Sequence, residues 1–378
     1  MRSRREPPVR DADAWQRLSG ELDALAQHSP LPHLLDSAWL DAAWQWAGTD
    51  ATLNVQPLRD DGRLIGVAPL VLSRAPRAGI TARRLGFLSV PDTQFCDLVV
   101  AAADREIAAH ALAAALHAHR GDWDVLELAY LSDVAPAWRA LVASLAAAGL
   151  TPIVEAAGQN PFIDLTGTWD DFYGARSRSL KKSVNLSANR LAKAGRIDVQ
   201  WARGAQADDA VLAEVVRVSA ISWKKDTGNS LDQPGPNAFI RHLTAAGRRN
   251  AAVSIWLLRL DGKVIATEYQ WIAHGAVHAL RSDFDPAYAE ASPGTYLNHH
   301  LLQRLFGEGL RRYYMGPGSN AYKLRWTDQG EPMFRVTAFS PTLRGRALRF
   351  VERAVKPLGR RLRARFARPA AAEAEAGQ

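Results

Sequence analysis

Two stretches of the chain repeat one hydrophobic and polar pattern. LNVQPL followed by RDDGRLIGVAPLVL at 59–72 is echoed by AAVSIWLL followed by RLDGKVIATEYQWI at 259–272. Each copy sets an Asp-Gly pair between β-rich flanks, and this predicts a hairpin with a tight turn. A helical stretch, Arg105 to His119, then precedes the apolar strand DWDVLELAYL. Correspondingly, a helical stretch from Thr295 to Phe306 precedes the strand RRYYMGPG. Hairpin, helix and strand thus occur twice in the same order, about 200 residues apart, which favours an internal duplication. The boundary is expected in VEAAGQNPF, 154–162, where Gly158, Asn160 and Pro161 break the periodicity. That gives an N-terminal domain over 1–157, a second over 161–341, and a tail over 342–378.

Between the two copies lies a helix of one-sided charge. SRSLKKSVNLSANRLAKAG, 177–195, holds five Lys or Arg and no acid. At 100° per residue, Arg178, Lys182, Asn185, Asn189, Lys193 and Arg196 share one side, while Leu180, Val184, Ala188 and Leu191 share the other. The helix is expected to dock by its Leu/Val stripe, to end at Gly195, and to present a basic, amide-rich face. That face is either a solvated surface or one that meets a phosphate-bearing ligand or RNA. In the tail, Leu343, Ala347, Phe350, Val351 and Ala354 form an apolar stripe, continued past Pro357 by Leu358, Leu362 and Phe366. The closing AAAEAEAGQ has the composition of a disordered end.

Composition narrows the classes. A chain of 378 residues with 47% hydrophobic and 23% charged positions is globular and long enough for two cores. Its single cysteine, Cys96, leaves no internal disulfide and no thiolate metal site, and points to a reducing compartment. The basic start leads into no apolar h-region, and no run of about 18 apolar residues occurs, so a cytoplasmic protein is expected. The net charge is +8, of which residues 343–378 carry ten basic and three acidic side chains, +7. The body is therefore nearly neutral, which argues against a broad nucleic-acid surface.

PFIDLTGTWDDFYGARSRSLKKSVNLSANRLAKAG resembles the segment that opens the catalytic half of FemAB-like members of the GNAT acyltransferase superfamily, nearest to the branch named for the cellulose-biosynthesis protein CelD. HLLDSAWLDAAWQWA, GRLIGVAPL, DGKVIATEYQ, SDFDPAYAEASPGTYL and GSNAYKLRW follow the family's order, and together these pieces span about 33–327. The resemblance implies an α/β fold of tandem GNAT-like domains, each a mixed, mostly antiparallel sheet flanked by helices. The first domain is expected to be degenerate and the second catalytic. It implies acyl transfer from acetyl-CoA or another acyl-CoA to an amine or hydroxyl of a sugar or of a cell-envelope or exopolysaccharide precursor, without a metal.

Such chemistry needs a diphosphate cradle, a base for the nucleophile and an acid for the departing thiolate. Ser292, Gly294, Thr295 and Tyr296 open a helix directly after the strand AVHALRSDF, where glycine and free N–H groups suit a diphosphate. The same residues also fit an ordinary N-cap. The loop departs from the fuller glycine-rich signature of typical GNAT enzymes. The matching helix of the first half begins AAADREIAA, with acids that repel phosphate, so no cofactor is expected there. Tyr322 is the candidate acid and a packing tyrosine otherwise; Glu268, Asp283 and Asp285 are the candidate bases. Arg178, Lys182, Lys323 and Arg325 are candidate substrate contacts, with Trp223 either lining the acceptor pocket or packing in the core. His299 and His300 are adjacent on a helix and do not share a face, so they make no metal pair. Two alternatives stand beside this reading. One is a Fem-type transferase using aminoacyl-tRNA, the single case in which nucleic acid is expected. The other is a non-catalytic GNAT scaffold held peripherally at the inner face of a membrane through 343–368.

Overall fold

The computed structural model describes residues 6–31, 33–48 and 51–355. The first half opens with α1 (Ala12–Ala26) and α2 (Ser37–Ala47), whose caps Asp11 and Asp36 accept from the N–H groups of Ala14 and Trp39. Strand β1 (Ala51–Leu53), the hairpin β2 (Gln56–Asp60) to β3 (Arg63–Ala68) and the hairpin β4 (Leu70–Arg77) to β5 (Ile80–Phe87) follow. The half ends with the short β6 (Val99–Val100), α3 (Arg105–Ala118), β7 (Val125–Leu131) and α4 (Ala137–Ala147).

Strand β8 (Ile153–Asp164) leads into the second half, which begins with α5 (Trp169–Gly174), α6 (Arg178–Ala194) and β9 (Ile197–Arg203). Two helices, α7 (Asp209–Ile221) and α8 (Pro234–Arg249), precede the hairpin β10 (Val253–Leu260) to β11 (Lys263–Ala273). Next come β12 (Ala276–Phe284), α9 (Pro293–Leu305), β13 (Arg312–Tyr314), α10 (Ala321–Leu324), β14 (Gly330–Phe339) and α11 (Leu343–Phe350).

The two expected hairpins match closely. Both central residues of each turn have positive φ, 46° and 86° at Asp61-Gly62 and 50° and 83° at Asp261-Gly262. This is the tight hairpin turn that Asp-Gly favours. Each ladder also shifts register after the same residue, Leu58 or Leu258. In each, an arginine, Arg59 or Arg259, donates to the glycine carbonyl at 3.2 Å. The echo seen in the sequence is thus a structural repeat of the hairpin.

The halves differ from expectation in how they join. They do not have a sheet each: among the described residues eleven strands form one mixed sheet in the order β1-β4-β5-β7-β14-β8-β13-β12-β11-β10-β9, and β2-β3-β6 stand apart. The break expected at 154–162 is instead the middle of β8. Gly158 (φ 91°) takes up an irregularity opposite Met333, and Pro161 still offers its carbonyl, to Met315 N–H at 2.8 Å. Strand β14, late in the chain, pairs with β7 of the first half on one side and β8 on the other.

Helix α6 docks as its pattern dictates, with Leu180, Val184 and Leu191 buried and Arg178, Lys182, Asn185, Asn189, Lys193 and Arg196 exposed. Ser187, rather than Ala188, takes the fourth buried position, because its hydroxyl donates to the carbonyls of Ala291 (2.6 Å) and Ser292 (3.0 Å). Gly195 ends the helix in extended conformation; a Cβ there would lie 2.2 Å from the Asp261 carboxylate, which binds the Arg196 N–H.

The stripe expected on the tail is turned outward: Leu343 and Phe350 are 86% and 66% exposed, and Leu348 is buried instead. The reason is polar anchoring. Arg344 lies 3.2 Å from Asp124, and Arg77 binds both Glu127 and Glu352. Residues 356–378, with the rest of the expected stripe and the expected disordered end, lie outside the described residues. No helix among the described residues is long and apolar enough to cross a membrane.

Candidate active site

The site exists because two strands part. β12 and β13 run parallel and pair only over Ala276–His278 with Arg312–Tyr314. Beyond that, Met315 follows β8, and Gly316 and Gly318, both at positive φ, turn the chain away. On the side away from β11, the edge of β12 from Ala279 to Phe284 therefore has no strand partner among the described residues and borders a cavity of about 740 Å³. Its volume suits a small-molecule ligand.

The apex of this wedge is closed by the first half. Gln94, in the irregular segment between β5 and β6, donates to the Ala279 carbonyl at 2.9 Å and accepts from Asn160 at 3.2 Å. Gln94 Oε1 also accepts from His278 Nδ1 at 3.1 Å, which leaves His278 Nε2 to accept from His33 Nε2 at 2.7 Å. Both rings are buried, and burial holds both well below the usual histidine range, His33 down to about 3. They are neutral, and the relay is a fixed seam between the halves.

The packing shows which side chains reach each face of the sheet. Trp256, Leu258, Ala266 and Ile272 share a core with Leu180, Val184, Leu297 and Leu301 of α6 and α9. Ile255, Leu257, Tyr269 and Trp271 share another with α2, α7 and α8. Strand side chains alternate, so Glu268 faces α6 and α9. Its cross-strand partner Ser282 does likewise, whereas Arg281 and Asp283 face α7 and α8. One cavity touches all four, because the wedge opens the sheet from face to face.

On the α9 side, Ser292 adopts left-handed backbone (φ 53°, ψ 52°) and Pro293 occupies the first helical turn, so no side chain caps the helix. Its carbonyl accepts from Thr295 N–H at 3.0 Å and Tyr296 N–H at 3.4 Å. A Cβ on Gly294 would find only Phe284 Cδ1, at 3.9 Å. The helix start is thus open toward the cavity, with part of its amide set turned into the loop.

Deeper in, Glu268 is 1% exposed. It accepts hydrogen bonds at 2.7 Å from Tyr313 Oη, Gln270 Nε2 and Ser282 Oγ. Burial raises its carboxyl above the ordinary glutamate range, and these three donors only partly offset that. Ser282 is exposed to the cavity and so links Glu268 to it. Tyr322 accepts from Asn298 Nδ2; burial first, and the Glu268 charge second, hold its hydroxyl above the usual tyrosine range, protonated at neutral pH.

On the opposite face, Arg281 is 3% exposed and donates from Nε to Asp92 at 2.6 Å and from Nη1 to the Asn229 carbonyl. Lys224 lies 3.1 Å from Asp283. Lys323 donates to the carbonyls of Gly316 (2.7 Å) and Pro317 (3.2 Å); burial, then the charge of Lys224, lower it to about 8.

Most sequence candidates converge here. Tyr322, Glu268, Asp283, Ser292, Gly294, Thr295, Trp223, Lys323 and Arg325 all line the cavity. Others do not. Arg178 and Lys182 stand on the solvent side of α6, and the Tyr296 ring packs on His300 with centroids 4.1 Å apart. Asp283 is committed to Lys224, and Asp285 caps the turn after β12 while binding Lys263 at 2.8 Å, which leaves Glu268 as the candidate carboxylate without a cation. Trp223 is 64% exposed at the rim, not a core residue. Sequence reasoning missed Asp92, Arg281, Ser282 and Asn298, of which only Ser282, opposite Glu268 in the hairpin-to-β12 register, carried a usable signal. Among the described residues no group of three or more His, Cys, Asp or Glu is placed to hold a metal ion.

The wedge, the edge of β12 and the start of α9 coincide with a family match: residues 178–324 fit the acetyltransferase (GNAT) domain. Residues 178–324 thus form a GNAT domain of the FemAB-like kind. No curated protein matches the chain in sequence. Solved structures share its fold. The C-terminal DUF2156 domain of an Agrobacterium fabrum protein assigned as a lysylphosphatidylglycerol synthetase has a TM-score of 0.55 at 16% identity, covering 88% of this chain and 94% of that one. FemX has 0.54 at 13%, covering 84% and 95%. L-PGS from Bacillus licheniformis has 0.53 at 13%, covering 93% and 98%. The cavity is bordered by strand and helix residues of this matched segment.

Proposed function

We propose that the protein transfers an acyl group, acetyl being the simplest, from acyl-coenzyme A to an amine or hydroxyl of a small acceptor in the cavity. The observation that supports this is the meeting, in one space, of an unpaired strand edge, an uncapped helix start, a buried carboxylate and a protonated tyrosine. The edge of β12 offers main-chain groups to an amide-bearing arm, and the α9 start offers dipole and N–H to a diphosphate. Coenzyme A carries both. Tyr322 gives its proton to the departing sulfur. Glu268, through Ser282, takes the proton that the attacking amine or hydroxyl loses. The sugar or cell-envelope character of the acceptor is carried over from the family resemblance.

Gly294→Asp tests the reading cleanly. Aspartate fits the open space and suits a helix start, so the fold should hold, while a diphosphate is repelled. Acetyl-CoA or longer acyl-CoAs should raise the melting temperature of the wild type and not of this variant. No shift with any thioester contradicts the proposal.

A second reading, aminoacyl-tRNA as donor, draws support from the exposed cationic face of α6. Salt-dependent tRNA retention that disappears when Arg178, Lys182, Lys193 and Arg196 become Glu would favour it. Peripheral membrane contact through 343–368 also stands as a proposal, on the outward Leu343 and Phe350. Flotation with anionic liposomes, compared with Leu343→Glu/Phe350→Glu, decides it.

A further inference from the structure

The Arg281 fork is held on three sides and left open on the fourth. Nε binds Asp92, Nη1 binds the Asn229 carbonyl, and the guanidinium lies 5.5 Å from the Trp46 ring centroid. Nη2 is buried and has no partner among the described residues, although Arg281 lines the cavity. A buried N–H without an acceptor costs about 1–3 kcal/mol, so a side chain fixed this way awaits one. Lys224 and Lys323 line the same cavity, close enough that the charge of Lys224 weakens proton binding at Lys323. The nearby carboxylates Asp92 and Asp283 are already paired, with Arg281 and Lys224. Positive charge is therefore in surplus on this face, and an anion would relieve it.

We propose that Arg281, flanked by Lys224 and Lys323, seats an anionic oxygen group of the acceptor, a carboxylate or a phosphate, on the sheet face opposite α9. This rests on the acyl-transfer reading, with the donor entering from the α9 side. A planar guanidinium locked by an acidic partner suits such a group. The subsite is built by both halves, since Asp92 comes from the first and Arg281 from the second.

The full-length protein tests this by calorimetry and thermal shift at constant ionic strength, with sodium phosphate, sodium acetate and neutral acetamide as probes. The anion arm is also run in Gly294→Asp, which removes any contribution from the α9 start. Phosphate or acetate should bind and acetamide should not; the tighter anion identifies the group. Arg281→Gln should weaken that binding at least tenfold and leave the acetyl-CoA shift in place. If that variant does not fold, Lys323→Gln should weaken the anion several-fold. Unchanged anion binding in the folded variant, equal stabilisation by acetamide, or loss of the anion effect under saturating acetyl-CoA overturns the proposal. Absence of any acetyl-CoA shift in the wild type defeats the donor reading alone, because the anion arm still decides Arg281.

Discussion

α3 and α9 follow equivalent hairpins, yet only one helix start is open. In the first half, Asp104 before α3 is clasped by both terminal nitrogens of Arg63 at 2.7 and 2.8 Å. A Cβ on Gly66 would lie 3.0 Å from Ala108 Cβ, so the helix is pressed onto its strand. In the second half, nothing but Phe284 approaches Gly294. The strands differ in the same sense. β6 has two residues and pairs only with β3, whereas β12 has nine and leaves β13 after three. One repeated layout thus gives a sealed unit and a split one, and the split one has the longer central strand. The sealed unit is not idle, because its 88–98 segment supplies Asp92 and Gln94 to the wedge of the other.

The largest effect should come from the chemistry that only the split half has. Glu268→Gln and Tyr322→Phe should each lower kcat by about 10²-fold or more, the usual worth of a positioned acid or base, with a smaller change in KM. Retention of activity within twofold would remove those roles. The raised Glu268 pKa adds a pH signature. The rate should climb with pH through a value above about 4.3, the ordinary glutamate figure, and this limb should vanish in Glu268→Gln. Stability should behave oppositely: the raised folded pKa means the native state binds the proton more tightly, so stability is greatest below the ordinary value and is lost as pH rises through the folded one. Urea titrations of wild type and Glu268→Gln across that window read the difference.

Next in size, Asp92→Ala removes one partner of a pair whose side chains are 2% and 6% exposed, and should cost about 3 kcal/mol in urea unfolding. A cost under about 1 kcal/mol would detach the first half from the site. Smallest, Gly62→Ala and Gly262→Ala place a Cβ on left-handed backbone and should each cost about 1 kcal/mol. Unequal costs would weaken the equivalence of the two hairpins.

What the sequence disclosed follows from local periodicity. The two Asp-Gly turns, the faces of α6 and the start of α9 are each written within about twenty residues, and all stand where expected. Glu268 and Tyr322 came with the strand and loop that carry them. Asp92 and Gln94 lie in a segment without period, and only the docking of the halves brings them to β12. Gly158 and Pro161 look like breakers but are absorbed by a strand irregularity, because β14 returns from the far end of the chain to cover them. The outward turn of Leu343 and Phe350 depends on the ion pairs of Arg344 with Asp124 and of Glu352 with Arg77, which no helical wheel contains.

Backbone hydrogen exchange with and without acyl-CoA tests the wedge most directly. The expected result is slowed exchange at Ala279–Asp283 and at Gly294–Tyr296, with residues 102–108 at the start of α3 unchanged. Unaltered exchange along β12, or protection confined to the exposed face of α6, would contradict it.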